Sequence, residues 1–545
     1  MADTPKVTVF AARRVVTLDP SLPVSTHVAV REGRIIGHGG PEVVDQFAGT
    51  LDARFADKVI VPGFIEGHGH ATDGLMWRSP YVGYFARTAP DGSRHGGFRS
   101  IAEAVGHLKA IEATMPPGKP LVCWGFDPIY FDGPRMTVDD LDIFSPNRMV
   151  VVAHVSGHIL NVNTKVLAAA GFSADSNLDG LVRNAAGQLT GELQGPAVMG
   201  RANRATGDGG LLRELDVDGL RDYGRIARRV GVTTSTDLAN AMTPANVTAL
   251  RAATSEADFP IRLVPAMRAR EFSIADGLAR IADLRKLSTA TLHFGLVKLV
   301  VDGSIQGFTA RLRWPGYHNG APNGLWYISP VELEATVKAY HAAGHHLHIH
   351  TNGDEASELA TEMIGRAIEA HPRADHRHTL QHCQMADGAI FRRMRNFGMC
   401  VNLFANHLYY WGDQHAKHTM GPSRVRRLDA CNTALASGVP LAIHSDTPVT
   451  PVDPRFTMWC AVNRLSSTGV VLGEAERITP AQALHAVTLG VAYTLKLDHL
   501  IGSIEVGKYA DFAVLDDDLL TVDPGAIKDI PVVATVMGGQ VFANS

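Results

Sequence analysis

The chain has 545 residues, a formal net charge of -4, 45% hydrophobic and 19% charged side chains, which is the balance of a globular enzyme rather than a disordered or fibrous chain. That charge leaves no basic face for nucleic acid, and no apolar run reaches the ~18 residues of a membrane span. Five scattered cysteines, none in C-x-x-C spacing, and an N-terminus without a charged-then-apolar leader predict no disulfide scaffold and a cytoplasmic setting.

Taken in chain order, the first elements are short alternating strands: Val7–Ala11, Val15–Leu18, His27–Arg31 and Arg34–His38, with a turn at Glu32-Gly33. The far end has the same character, with Ala510–Leu515 and a closing hairpin over 532–542. Neither end is long enough for a good core. Residues 1–60 and 490–545 are therefore expected to form one composite β-sandwich.

Between them the strand-like runs Val59–Glu66, Val230–Leu238, Ile261–Met267, Leu296–Asp302, His346–His350, His378–Gln381, Cys400–Leu403 and Leu441–Asp446 mostly precede helix-period segments. Strand and helix alternating eight times predict an α/β fold, a distorted TIM (β/α)8 barrel over 61–489. Residues 71–225 break the repeat and are expected to be a large insertion after the first barrel strand.

Chemistry in such barrels gathers at the carboxyl ends of the strands. The first strand ends in His68-Gly69-His70, whose i, i+2 spacing places both imidazoles on one face of an extended chain. The fourth carries Lys298, the fifth ends at His350, the sixth at His382 and the eighth at Asp446. His350 to His382 spans about one strand-helix unit and His382 to Asp446 about two, as a periodic barrel requires. Imidazole and carboxylate converging there can hold a divalent metal. Lys298 has two readings: a surface residue of a misassigned helix, or an interior amine of lowered pKa that takes up CO2 as a carbamate. His444 shares the face of Asp446, either in the pocket or in a structural hydrogen bond. The aromatic runs containing Trp326 and Tyr409-Tyr410-Trp411 are expected in loops at the catalytic end, walling a site for an apolar or aromatic substrate.

These residues resemble the amidohydrolase superfamily, within it amidohydrolase family 3, which includes N-substituted formamide deformylases. The resemblance is carried by Pro62-Gly63-Phe64-Ile65-Glu66-Gly67-His68-Gly69-His70, Val297-Lys298, His350-Thr351-Asn352-Gly353-Asp354, Gln381-His382-Cys383-Gln384, His444-Ser445-Asp446-Thr447-Pro448 and the tail from Gly502 to Phe512. It implies a metal-dependent hydrolase with two Zn2+ per chain. His68, His70 and Asp446 would hold one cation, and a carboxylated Lys298 would bridge to a second on His350 and His382. It also implies hydrolysis of a linear amide, such as an N-substituted formamide or N-acyl arylamine, by a hydroxide bridging the cations. Asp446 would act as proton shuttle, with His382 or His158 steadying the oxyanion. A lactone or carbamate hydrolase, a deaminase, a lyase or isomerase, or a non-catalytic scaffold are the alternatives. The expected partner is a small amide, with neither nucleic acid nor membrane, and a homodimer is expected by analogy. Glu66 departs from the family's usual Asp, and Ser445 from its usual Gly.

Overall fold

The computed structural model describes residues 6–131, 133, 135–207 and 213–544. Residues 1–5, on which the reading of the N-terminus rests, lie outside them. The centre is an eight-stranded parallel sheet: β1 (Phe64–Glu66), β2 (Val232–Asn240), β3 (Arg262–Arg268), β4 (Leu296–Val300), β5 (His346–Thr351), β6 (Thr379–His382), β7 (Cys400–Leu403) and β8 (Leu441–Ile443). Each strand pairs with the next in chain order from β1 to β8, and the crossovers include the helices Pro330–Ala342 and Asp354–Ala370. This is the TIM-barrel arrangement of an α/β fold.

Period-two alternation sorts the side chains of β4 to β8. Val297, Leu299, Leu347, Ile349, Leu380, Val401, Leu403, Leu441 and Ile443 join the main apolar core beneath the helices. Alternate positions face the interior. Its apolar layer includes Ile65, Ala266, Leu296 and Ala442, and polar groups lie nearer the strand ends: Lys298, His348, His350, Gln381, Asn402 and His444, all buried.

The sheet has no backbone ladder between β1 and β8. Side chains clasp that seam instead. The Glu66 carboxylate accepts from Ser445 Oγ at 2.5 Å, Ser445 N at 3.3 Å and His68 N at 2.9 Å, and Ile65 N donates to Val487 O at 2.9 Å. The two family departures in the sequence are thus partners in one contact.

Both chain ends meet in a seven-stranded sheet whose order runs 540–543, 532–537, 512–515, 50–62, 8–16, 24–31, 34–39. Alternation again divides the faces. Ile60, Phe512 and Val514 face a core of their own, while Val59, Val61, Ala513 and Leu515 pack into the barrel's core. After β1 the chain builds a separate five-stranded sheet within 121–194, with its own apolar clusters. The helix Val217–Arg229 belongs to the barrel: Leu220, Tyr223, Ile226 and Ala227 enter the main core. The expected boundary at 225 therefore cuts a barrel helix, whose start is marked by the Asp216 cap accepting from Gly219 N at 2.8 Å.

Candidate metal centre

A cavity of about 350 Å³ opens at the carboxyl ends of the strands. His68, His70, Lys298, His350, His382 and Asp446 all line it, with His158 and the apolar Met76, Leu160 and Met199 from the segment between β1 and β2. Asp446 Oδ1 lies 3.1 Å from His70 Nε2 and 3.6 Å from His68 Nε2, and its Oδ2 lies 3.9 Å from His382 Nδ1. The backbone is strained at two of these positions, with φ +67° at His382 and +54° at Asp446; left-handed conformations of non-glycine residues recur at functional sites. Gly69 separates the two histidines because a Cβ there would collide with Tyr223 Oη.

Each key imidazole is oriented by a neighbour. Gln381 Oε1 accepts from His68 Nδ1 at 2.7 Å and from Asn402 Nδ2 at 3.0 Å. His68 Nε2 is thereby left with its lone pair toward the cavity. His444 Nδ1 donates to Asn402 Oδ1 at 3.0 Å, and its Nε2 then accepts from His382 Nδ1 at 3.0 Å. Asn402 thus fixes the tautomer of His444, and His444 that of His382. Gln381 and Asn402 are the functional residues that sequence reasoning left out of the site, while His444, read there as a pocket residue or a structural hydrogen bond, makes hydrogen bonds to Asn402 and His382. The signal of Gln381 and Asn402 was inward parity on β6 and β7, which Lys298 and His350 share on β4 and β5.

Burial, followed by the Lys298, His444 and His70 charges, holds the His68 imidazole well below its usual pKa. His382 is lowered in the same way, first by burial and then by His68 and His350. Neutral imidazoles are the form that ligates a metal. The Lys298 amine, 3.2 Å from His68 Nε2, is pushed down to about 7 by burial against the opposing pull of Asp446. A substantial neutral fraction at pH 7 is what addition to CO2 requires.

The donor set fits a cation: ligand atoms of His68, His70 and Asp446 all lie within 4.8 Å of one another, as do those of His68, His382 and His444. His350 stands beside them, its ring centroid 4.4 Å from that of His382 and 5.2 Å from that of His158, but outside both clusters. Its Nε2 is 3.1 Å from Asn352 Nδ2.

The four aromatics expected to contact substrate do not line the cavity. Trp326 lies under the Arg311 guanidinium at 4.7 Å. Tyr409, Tyr410 and Trp411 sit on the helix His407–Gln414 rather than in a loop. Tyr409 packs on Phe456 and Trp459, and Tyr410 on Phe85. Trp411 is buried and donates Nε1–H to Asp127 at 2.8 Å. Tyr410 and Trp411 join the barrel to its insertion.

A model described as the amidohydrolase family matches residues 52–543. The protein YtcJ of Bacillus subtilis (strain 168) is 27% identical over 533 residues, covering 94% of this chain and 95% of its own. The N-substituted formamide deformylase of Arthrobacter pascens is 25% identical over 540 residues, covering 96% of each. Among solved structures, an uncharacterized metal-dependent hydrolase from Pyrococcus horikoshii OT3 shares the fold, with a TM-score of 0.71, 19% identity, and coverage of 95% of this chain and 99% of that one. With the family match running almost end to end over a barrel that gathers histidines and a carboxylate at its strand ends, the chain belongs to the amidohydrolase family and is a hydrolase acting on carbon–nitrogen bonds.

Proposed function

We propose that this site hydrolyses a linear, non-peptide amide, with N-substituted formamides and N-acyl arylamines as the first classes to try, and that its metal is zinc, two per chain. The reading is supported by the similarity to the formamide deformylase and by the imidazole and carboxylate donors, which suit zinc. His68, His70 and Asp446 would hold one cation, and His350 and His382 the other, with a carboxylated Lys298 between them. When bound, such cations polarise the carbonyl and lower the pKa of water.

The chain's own groups do the rest. Asp446 takes the proton of the attacking water on a carboxylate oxygen and returns it to the leaving nitrogen. His158, which lines the cavity, is held to about 4 first by burial and then by Lys298 and His70. It is therefore neutral at pH 7 and offers an N–H to the developing oxyanion. The apolar walls at Met76, Leu160 and Met199 receive the amine-side substituent.

The observation that carries this reading is the placement of Asp446, within 3.1 Å of His70, 3.6 Å of His68 and 3.9 Å of His382 on the cavity floor. An Asp446→Asn chain that keeps its fold should lose at least about 100-fold in kcat against N-benzylformamide, the scale of a lost general base. Full turnover by that variant would refute the role.

A further inference from the structure

Asp446 sits in a turn that other parts of the chain hold in place, and one of those holds comes from the insertion. Its backbone takes φ +54°, a conformation that a non-glycine residue keeps where its surroundings over-determine it. The end of β1 and the turn itself supply part of that constraint. Thr447 O accepts from His70 N at 2.9 Å, Thr447 Oγ1 donates to Asp73 Oδ2 at 2.5 Å, and Val449 N closes the turn on Asp446 O at 2.7 Å. A further constraint comes from Arg87, on the short strand Arg87–Thr88 in the segment between β1 and β2. Its Nη1 donates to Pro448 O and its Nη2 to Val449 O, each at 2.6 Å.

Arg87 is buried, and its guanidinium lies 5.8 Å from the Tyr81 ring and 5.6 Å from the Trp124 ring, within cation–π range. Trp124 is on the insertion's strand Leu121–Phe126, and both rings belong to an apolar cluster of the insertion. The arginine is thus anchored in the insertion and places its fork on two successive carbonyls of a barrel turn. A planar fork on two adjacent acceptors fixes orientation as well as distance. Because Val449 N is bonded to Asp446 O, holding Pro448 and Val449 holds the backbone from which the Asp446 carboxylate projects. The insertion is docked elsewhere as well, through Tyr410 and Trp411, whereas this fork falls on the turn that carries Asp446. We propose that Arg87 is a positioning residue that acts through Asp446, so that the insertion sets the place of the barrel's carboxylate. This rests on the role given to Asp446 above and deepens it. Without the fork the turn relaxes, and a reacting group displaced by about 1 Å costs about 100-fold in rate.

The test is a double-mutant cycle between Arg87→Met and Asp446→Asn, read by zinc retention against a chelator and by turnover of N-benzylformamide. Arg87→Met should lose about 10- to 100-fold in kcat and in zinc retention, with KM unchanged. Arg87→Lys, which can reach one carbonyl of the two, should recover part of both. In the Asp446→Asn chain, Arg87→Met should cost no further zinc retention; additive losses would overturn the proposal, since the arginine would then act on something other than the carboxylate. Arg148→Met is the control, because Arg148 is another buried arginine of the insertion and donates within it to Pro116 O at 2.9 Å. That change should lower Tm without lowering kcat. A loss of kcat equal to that of Arg87→Met would reduce the effect to a loosened insertion and overturn the proposal. If the zinc-loaded parent leaves N-benzylformamide intact, the hydrolytic reading fails for that amide and the zinc cycle alone decides Arg87: unchanged retention in Arg87→Met overturns its role, and a loss that vanishes in Asp446→Asn upholds it. Should Arg87→Met not fold, the same cycle run with Arg87→Lys decides on the same terms.

Discussion

Gln381 shows how much of the site depends on residues that never touch substrate. Its Oε1 serves His68 Nδ1 and Asn402 Nδ2, and its Nε2 donates to His348 Nδ1 at 2.7 Å. Gln381→Leu strands three buried groups at once. It should weaken metal retention by about 10- to 100-fold, as loss of a ligand's orienting partner does, while the fold persists; competition with a chelator measures it, and unchanged retention would contradict the assignment. The sequence revealed the strand-end ligand candidates because their intervals repeat with the barrel. It concealed Gln381 and Asn402 because a polar residue inside a strand is ambiguous until inward and outward faces are known. The aromatic run at 409–411 was placed at the right end of the barrel, but closeness along the chain does not say which way a helix turns its side chains, and these turn toward Phe85, Asp127, Phe456 and Trp459.

At the scale of elements, the barrel seam and the opposite end of the strands make separate predictions. Glu66 and Ser445 clasp β1 to β8, so Glu66→Gln and Ser445→Gly should each lower stability. The pair should show a coupling of about 1–3 kcal/mol in a double-mutant cycle of denaturant unfolding; additive effects would argue that the seam is held elsewhere. Eight strands were legible from alternation and spacing. That the first and last are joined through side chains was not, because periodicity describes each strand and not the closure between them.

Away from the catalytic end, His341, His346, His376 and His378 form a buried network. His341 Nδ1 lies 2.8 Å from His378 Nε2, His346 Nε2 donates to Arg377 O at 2.6 Å, and His376 Nε2 donates to Phe397 O at 2.6 Å. Burial is the main cause holding His346 to about 3 and His376 to about 4, against the ordinary 6.5. Above pH 6.5 neither the folded nor the unfolded chain protonates them. As the pH falls from 6.5 toward 4 the unfolded chain binds protons that the folded one refuses, and stability declines. The slope is up to about 1.4 kcal/mol per pH unit for the fully buried His346. Urea unfolding of the chelated chain at pH 7 and pH 5 should show that loss, and equal midpoints would contradict it.

Across the whole molecule, the terminal sheet is part of the barrel's support rather than an appendage. Val59, Val61, Ala513 and Leu515 lie in the same core as β4 to β8, and 512–515 pairs directly with 50–62. A chain ending before Phe512 should therefore lose cooperative unfolding and not merely a few degrees of Tm; a sharp thermal transition in the truncated protein would count against this view. The match of both chain ends was legible in their strand-like patterning, whereas the way one face of their sheet enters the barrel core emerges only from the packing. What the molecule as a whole builds is a converging set of imidazoles and one carboxylate at the strand ends, the set proposed to hold the metal on which amide hydrolysis depends. Metal content after exhaustive dialysis, measured together with N-benzylformamide hydrolysis in the parent chain and in His70→Ala, tests it most directly. The parent should retain about two equivalents of zinc, the number a binuclear hydrolytic centre needs, and His70→Ala should lose metal and activity in step. A parent chain that hydrolyses the amide with less than one equivalent bound, or a His70→Ala chain that keeps both, would contradict the account.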